Sequence, residues 1–345
     1  MLRQVRIGVD VSRAPRNGQV DGIHAYTKTL VQALQRNSSV VYTLGETDYS
    51  NRRSLKGFMA YWWAQQVRLP LDQKGLDIDV LHFPGNVQSV WVPGRARKVV
   101  TVHDLFFLDL GRAQDFYYTT LFHKTIRRAD ALVFPSKYAQ EVFTDRFGRF
   151  PLKAVIPFPV RESIRRVPVD QTNLRPYVLA QGSRSPLKRL DTVLGSYKAL
   201  RNLSGMDFDL VLFGGDGAVR AMAADMPGVR YVYRPSDSVL SQLYSGAACT
   251  WVLSENEGYG LPVLEALKCG SPVVAMAVGA LRETAGYGAI TMSSRDPVAI
   301  AGATLKTMNA NPASRSERHV EVGMGYGDFA TAMVGFYERV LNAHT

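Results

Sequence analysis

The stretch Ser254-Glu255-Asn256-Glu257-Gly258-Tyr259-Gly260-Leu261-Pro262-Val263-Leu264-Glu265-Ala266-Leu267-Lys268-Cys269-Gly270-Ser271-Pro272-Val273-Val274-Ala275 decides how the rest of the chain is read. The apolar run from Cys249 to Leu253 before it has the length and character of a buried strand. Two glycines then make a tight loop, and Pro262 suits the start of a helix, where its missing N–H costs nothing. Gly270 is a left-handed stop after Cys269, and Pro272 bars continuation before a second strand from Val273 to Ala277. The pattern is strand, glycine loop, two-turn helix, strand.

Such a unit carries a place for an anion, because the unpaired N–H groups of a helix start and the positive end of its dipole meet at the loop, here residues 259–264. Two carboxylates in the same stretch, Glu257 and Glu265, would repel a bare phosphate and instead suit hydroxyl groups. A nucleotide sugar satisfies both demands, with a diphosphate in the middle and polyols at each end.

Glu257 and Glu265 at Glu-x7-Glu spacing, inside E-G-Y-G-L-P-V-L-E-A-L-K-C-G-S-P-V-V, resemble the signature of glycosyltransferase family 4. The resemblance implies an α/β chain of the GT-B fold: two Rossmann-like βαβ domains facing each other across a cleft, the C-terminal helix crossing back to the N-terminal domain. It places an acceptor-binding domain at 1–160, a proline-rich charged linker at 161–173, a nucleotide-sugar-binding domain at 174–326 and the returning helix at 327–345. It also implies retention at the anomeric carbon, with no metal and no cofactor.

Working outward, Gly182-Ser183-Arg184-Ser185-Pro186-Leu187-Lys188-Arg189 follows a strand and enters a helix with three cations, which oppose the helix dipole and ask for a bound anion. In the family this segment holds an arginine and a lysine on the donor diphosphate. Lys188 matches the lysine, Ser183 stands in the arginine's place, and Arg184 beside it is the candidate substitute. Gly214-Gly215-Asp216-Gly217 does not complete Gly-x-Gly-x-x-Gly, because Arg220 holds the last position, which disfavours a nicotinamide cofactor. Arg234, at the end of the strand 229–233, is the candidate for the nucleotide base.

In the N-terminal half, Gly22 opens a helix facing the end of the first strand and matches a backbone position near the donor, although the family's Gly-Gly is Asp21-Gly22 here. Val100-Thr101-Val102-His103-Asp104-Leu105 resembles a family segment whose histidine reaches the donor sugar, so His103 is a catalytic candidate beside Glu257 and Lys188. Asp104 is read as a turn cap or an acceptor-side group. His82 is read as a satisfied buried histidine or an acceptor-side group. The donor site is expected from Gly22, Gly182, Arg184, Lys188, Arg234, Gly258, Tyr259, Gly260, Leu261 and Glu265, the last on the ribose.

The chain has 345 residues and a net charge of +11, enough for two cores. Residues 1–170 hold 25 Lys and Arg against 15 Asp and Glu, and the remainder 16 against 15, so the positive charge sits in one half. No recognisable nucleic-acid module accompanies it, which leaves an anionic membrane surface, a phosphorylated acceptor or a solvated face. The segment 55–67, with Phe58, Tyr61, Trp62 and Trp63 among cations, reads either as core or as a patch at a lipid headgroup layer. No apolar run is long enough to span a membrane and the chain opens into a strand without a signal peptide, so a cytoplasmic protein, peripheral on the inner membrane face, is expected. Cys249 and Cys269 are expected as reduced core thiols.

The function expected is hexose transfer, mannose first, from a nucleotide sugar such as GDP-mannose to a saccharide or lipid-diphosphate-linked saccharide in surface polysaccharide assembly. Two alternatives stand beside it: a non-catalytic partner that binds nucleotide sugar or lipid, and a metal-dependent GT-A transferase using Asp77-Ile78-Asp79 or Asp207-Phe208-Asp209.

Overall fold

The structure is a computed structural model that describes all residues except 1–3, 13–21, 38, 47–54, 87–93, 109–112, 171–174, 310–321 and 344–345. The chain divides into two compact units, one of Met1–Pro159 with Met324–Thr345 and the other of Val160–Gly323.

The first unit runs β1 (Arg6–Asp10), α1 (Gly22–Arg36), β2 (Val40–Leu44), α2 (Leu55–Trp63), a π turn over Ala64–Arg68, α3 (Leu69–Gln73), β3 (Val80–Phe83), β4 (Arg97–Thr101), α4 (Ala113–Arg128), β5 (Ala131–Phe134), α5 (Lys137–Phe147) and β6 (Lys153–Val155). Its six strands are parallel in the order β2-β1-β3-β4-β5-β6. Every residue of β3 and β5 is buried, which is why β5 reads as an unbroken apolar run and β3 is interrupted only by His82: a parallel sheet is covered on both faces. Ser136 caps α5 by accepting from the Ala139 N–H at 3.0 Å.

The second unit runs β7 (Tyr177–Gln181), α6 (Leu190–Ser204), β8 (Asp209–Gly214), α7 (Gly217–Ala224), β9 (Val229–Tyr233), α8 (Asp237–Gly246), β10 (Cys249–Val252), α9 (Leu261–Lys268), β11 (Val273–Met276), α10 (Leu281–Thr284), β12 (Ile290–Met292) and α11 (Pro297–Asn309). The parallel order is β12-β11-β10-β7-β8-β9. Its core includes Cys249, Trp251 and Cys269, the two cysteines being free thiols. Trp251 resolves its polar edge by donating from Nε1 to Thr304 Oγ1 at 2.8 Å.

The chain then returns to the first unit as α12 (Tyr326–Asn342), which packs on α1. Phe329 meets the Tyr26 ring edge-on at 6.2 Å, and Arg36 lies over the Tyr326 ring at 5.2 Å.

Three details depart from the sequence reading. The stretch 161–173 begins inside the second unit, because Val160 and Ile164 are buried in its core. The edge strand β12 went unread because it is three residues long and largely exposed, and the alternation Ile290-Thr291-Met292 is too short to signal a strand. In α2 the core reading holds for Tyr61, which is buried, and fails for Trp62 and Trp63, which are exposed; the side chain of Phe58 lies outside the described residues.

Candidate functional site

In the second unit β7 lies between β8 and β10, so the strand order reverses there; ligands of open α/β sheets bind outside the carboxyl ends of strands at such a switch point. The segments that leave these two strands are the glycine-cation turn after β7 and the Ser254–Gly260 loop after β10. They are laced together. The Glu255 N–H donates to Leu187 O at 2.7 Å, Lys188 Nζ donates to Glu257 Oε1 at 2.6 Å, and Arg189 Nη1 donates to Glu255 Oε2 at 2.9 Å. Ser254 Oγ donates to the same Glu257 oxygen at 2.8 Å, and the Ala280 N–H closes on Glu257 O at 3.0 Å. A small pocket lies here, lined by Gln181, Lys188, Phe213, Trp251, Ser254 and Pro262 among others.

The glycines of the motif have steric reasons. Gly260 caps α9 with φ +87°, and a Cβ there would lie 2.7 Å from Thr284 Oγ1 and 2.9 Å from Leu281 Cδ2. Pro262 is the second residue of the helix, and Gly270 ends it with φ +77°. Gly258 and Tyr259 form the half-buried approach to Gly260, and Leu261 is the first helical residue. Gly182 faces Tyr231, whose ring would lie 2.8 Å from a Cβ at that position. Tyr231 Oη in turn donates to Gly182 O at 3.2 Å and accepts from the Asp216 N–H at 3.0 Å. Asp216 caps α7 and binds Arg184 through both its backbone N–H and Nε, leaving most of the arginine side chain exposed. Arg234 follows β9 with φ +49°, donates its N–H to Gly214 O at 2.7 Å and lies over the Tyr233 ring at 5.0 Å.

Glu265 has partners other than those of Glu257. It is buried, its Oε1 accepting from Arg161 Nη2 at 2.9 Å and its Oε2 from Tyr244 Oη at 3.2 Å. Arg161 also pairs with Asp237, and Lys268 Nζ donates to Val160 O and Arg161 O at 3.2 and 3.0 Å. Burial raises the Glu265 carboxyl above the ordinary carboxylate range, and Arg161 opposes that rise. One oxygen thus holds Arg161 to α9 and the other ties α8 to α9, and the ribose contact expected of Glu265 finds no support in this arrangement.

In the first unit His103 follows β4. It is buried, with Nε2 hydrogen-bonded to Pro84 O at 2.8 Å, its backbone N–H donated to Asn86 Oδ1 at 2.8 Å, and its ring edge-on to Tyr26 at 4.8 Å. Asp104 is half-buried and its carbonyl accepts from Asn86 Nδ2 at 2.7 Å. Gly22 is exposed at the start of α1, with Asp21 outside the described residues. His82 follows the buried reading, and the acceptor-side alternative is corrected. It is wholly buried on β3, with Nδ1 hydrogen-bonded to Tyr337 Oη of α12 and Nε2 to Thr101 Oγ1, so it has no face for an acceptor. Burial, with the nearby His103 adding to it, pushes its pKa down to about 3.

The two Asp-x-Asp sequences are ion-paired at strand starts: Asp77 and Asp79 with Arg6, Asp207 with Arg175 and Arg201, and Asp209 with Arg230. Sequence reading missed Ser254, Glu255 and Arg189 as parts of the site. The first two lie in the motif and were passed over in favour of the glutamate pair; Arg189 was counted among the cations of its turn, but its bond to Glu255, 66 residues later, and its left-handed φ of +46° have no local signal.

Two parallel six-stranded sheets with these connections define a glycosyltransferase fold of the GT-B class. Sucrose-phosphate synthase from Thermosynechococcus elongatus superposes with a TM-score of 0.75 over 99% of this chain and 100% of its own, at 19% identity. An Anabaena protein, Alr3699/HepE, solved in complex with UDP-glucose, gives 0.64 over 99% of each chain at 14% identity. This fold removes the GT-A alternative. Residues 20–164 match the model of Glycosyltransferase Family 4, and residues 175–310 that of Glycosyl transferases group 1. The chain belongs to glycosyltransferase family 4. Among curated relatives, O-antigen chain mannosyltransferase B of Escherichia coli is 30% identical over 139 residues, 38% of this chain and 36% of the relative. The chain spans less than half the length of the first curated relatives it matches.

Proposed function

We propose that this chain is a retaining hexosyltransferase that takes a sugar, mannose first, from a nucleotide-sugar donor, GDP-mannose first, to a saccharide or lipid-linked saccharide acceptor in the cytoplasm. One observation carries the reading: Lys188 and Glu257 meet at the carboxyl ends of β7 and β10, where the sheet's strand order reverses. As the glycosidic bond to the diphosphate breaks, negative charge grows on the leaving oxygens. Lys188, Arg184 and the first-turn amides of α9 are the groups of this unit suited to receive it, without a metal. Glu257 then accepts from sugar hydroxyls near the anomeric carbon, and Arg234 borders the base. From the first unit we assign His103 to the transferred sugar, Asp104 to an acceptor hydroxyl and Gly22 to a backbone contact with the donor. The E. coli relative's name supports mannose, and the UDP-glucose complex makes that donor the first comparison.

The test is a thermal-shift panel of GDP, UDP and dTDP with their sugars, because a bound ligand raises the melting temperature by mass action. Release of nucleotide from the stabilising donor, with a lipid-linked acceptor present, follows. Stabilisation by GDP-mannose with turnover supports the proposal. Stabilisation without turnover would make the chain a binding partner, and no stabilisation by any nucleotide would end the reading.

A further inference from the structure

Helix α2, the π turn and α3 form one continuous helical stretch over 55–73, since Trp63, Arg68 and Leu69 all keep right-handed helical backbone. One face is accounted for: Tyr61, Ala64, Gln65 and Leu69, at helical spacing, are buried. The opposite face is also apolar. Met59, Trp62 and Trp63 recur at i, i+3 and i+4 and are 55%, 40% and 57% exposed, and Leu71 further on is 61% exposed. A helix on the surface of a water-soluble unit normally turns charge outward. Here two tryptophans and a methionine occupy that side, and adjacent large apolar groups on a surface mark a docking face.

The charge that the sequence of this stretch carries indicates what docks. Residues 51–75 hold five cations (Arg52, Arg53, Lys56, Arg68 and Lys74) and one acid, Asp72, within a half of the chain where 25 basic residues oppose 15 acidic. Trp beside Lys and Arg is the composition favoured where a helix lies in the headgroup layer of an anionic bilayer, its rings at the acyl boundary and its cations at phosphate. Exposed indoles also anchor protein interfaces, but five cations against one acid, in the basic half of the chain, favour a surface of phosphate headgroups. We propose that the outer face of 59–71 is a membrane-docking surface for anionic phospholipid, seating the first unit on a bilayer without crossing it. Consistent with docking alone, no helix among the described residues is long and apolar enough to span a membrane.

The full chain is tested by co-sedimentation with vesicles of phosphatidylcholine alone and of phosphatidylcholine mixed with phosphatidylglycerol. Binding to the mixed vesicles, weakened by salt, is expected. The double substitution Trp62→Gln, Trp63→Gln should lower the partition coefficient roughly tenfold or more, and Met59→Asp should lower it independently. All three positions are exposed, so thermal melts should remain those of the wild type, and brominated lipid should quench wild-type but not doubly substituted protein. Unchanged partitioning of either variant, or equal binding to neutral vesicles, overturns the proposal. So does a wild-type dimer in sedimentation that the double substitution dissolves, because the face would then belong to a second copy of the chain.

Discussion

Lys188 donates to Glu257 Oε1 at 2.6 Å, and Ser254 donates to the same oxygen at 2.8 Å, so cation and carboxylate hold one another before any ligand enters. Under the proposed function, a donor diphosphate draws Lys188 toward itself and Glu257 is left to accept from hydroxyls of the sugar. Removing the carboxylate therefore frees the lysine without removing it. Glu257→Ala should keep nucleotide affinity within about threefold and lower turnover by about a hundredfold or more. Lys188→Ala should weaken nucleoside diphosphate binding by roughly ten- to a hundredfold, the worth of a charge-assisted hydrogen bond. Calorimetry with the nucleotide and a nucleotide-release assay separate the two; equal losses of affinity and turnover in Glu257→Ala would refute this division of labour.

The second glutamate is expected to behave differently. Glu265→Gln removes the charge facing Arg161, whose other partner is Asp237, and leaves a guanidinium only partly compensated in a buried place. A loss of roughly 1–3 kcal/mol from the unfolding free energy of the second unit is expected, with nucleotide affinity little changed. Urea denaturation and calorimetry check it. A tenfold loss of affinity at undiminished stability would instead return Glu265 to the ribose.

The contrast between these two residues shows what the sequence could and could not convey. The strand, glycine loop, helix and following strand were legible because each has a local cause: apolar runs for β10 and β11, a left-handed stop at Gly270, proline in the first turn. The second carboxylate was not, because its task depends on Arg161, which lies 104 residues earlier, and no pattern around Glu265 announces it. His82 was half legible. Its position near the end of a buried strand was clear, but Tyr337, which fixes it, comes from a helix at the far end of the chain. Trp62 and Trp63 were left between core and surface, since an aromatic stripe among cations suits either, and only burial distinguishes the two faces of α2.

Arg189 occupies a backbone conformation that favours glycine, with φ +46° and ψ +53° at the start of α6. Its side chain bridges Asp191 at 2.7 Å and Glu255 at 2.9 Å, tying the Lys188 turn to the Glu257 loop. Side chain and backbone can be separated by two substitutions that both lose the bridge. Arg189→Gly should be more stable than Arg189→Ala by about 1 kcal/mol, because only alanine keeps the strain. Both should raise the donor KM alike. Denaturation midpoints and donor titrations give the comparison, and alanine equal to glycine in stability would show that the left-handed geometry costs nothing here.

The buried pair His82 and Tyr337 sets a pH dependence for the first unit. In the unfolded chain a histidine takes up its proton near pH ~6.5, whereas in the folded unit burial delays uptake to about pH 3. Between these values the unfolded state binds more protons than the folded one, so stability rises with pH across the window and falls as the solution is acidified. The contribution approaches about 1.4 kcal/mol for each pH unit below ~6.5. Carboxylates elsewhere titrate in the same range, so the measurement is a difference between wild type and His82→Gln, which retains hydrogen-bonding capacity but cannot protonate there. At pH 7 the wild type should be the more stable. On lowering the pH towards 4.5 its advantage should shrink and then reverse, whereas a gap that stays constant in urea denaturation across this range would mean that His82 accepts its proton without leaving the folded core.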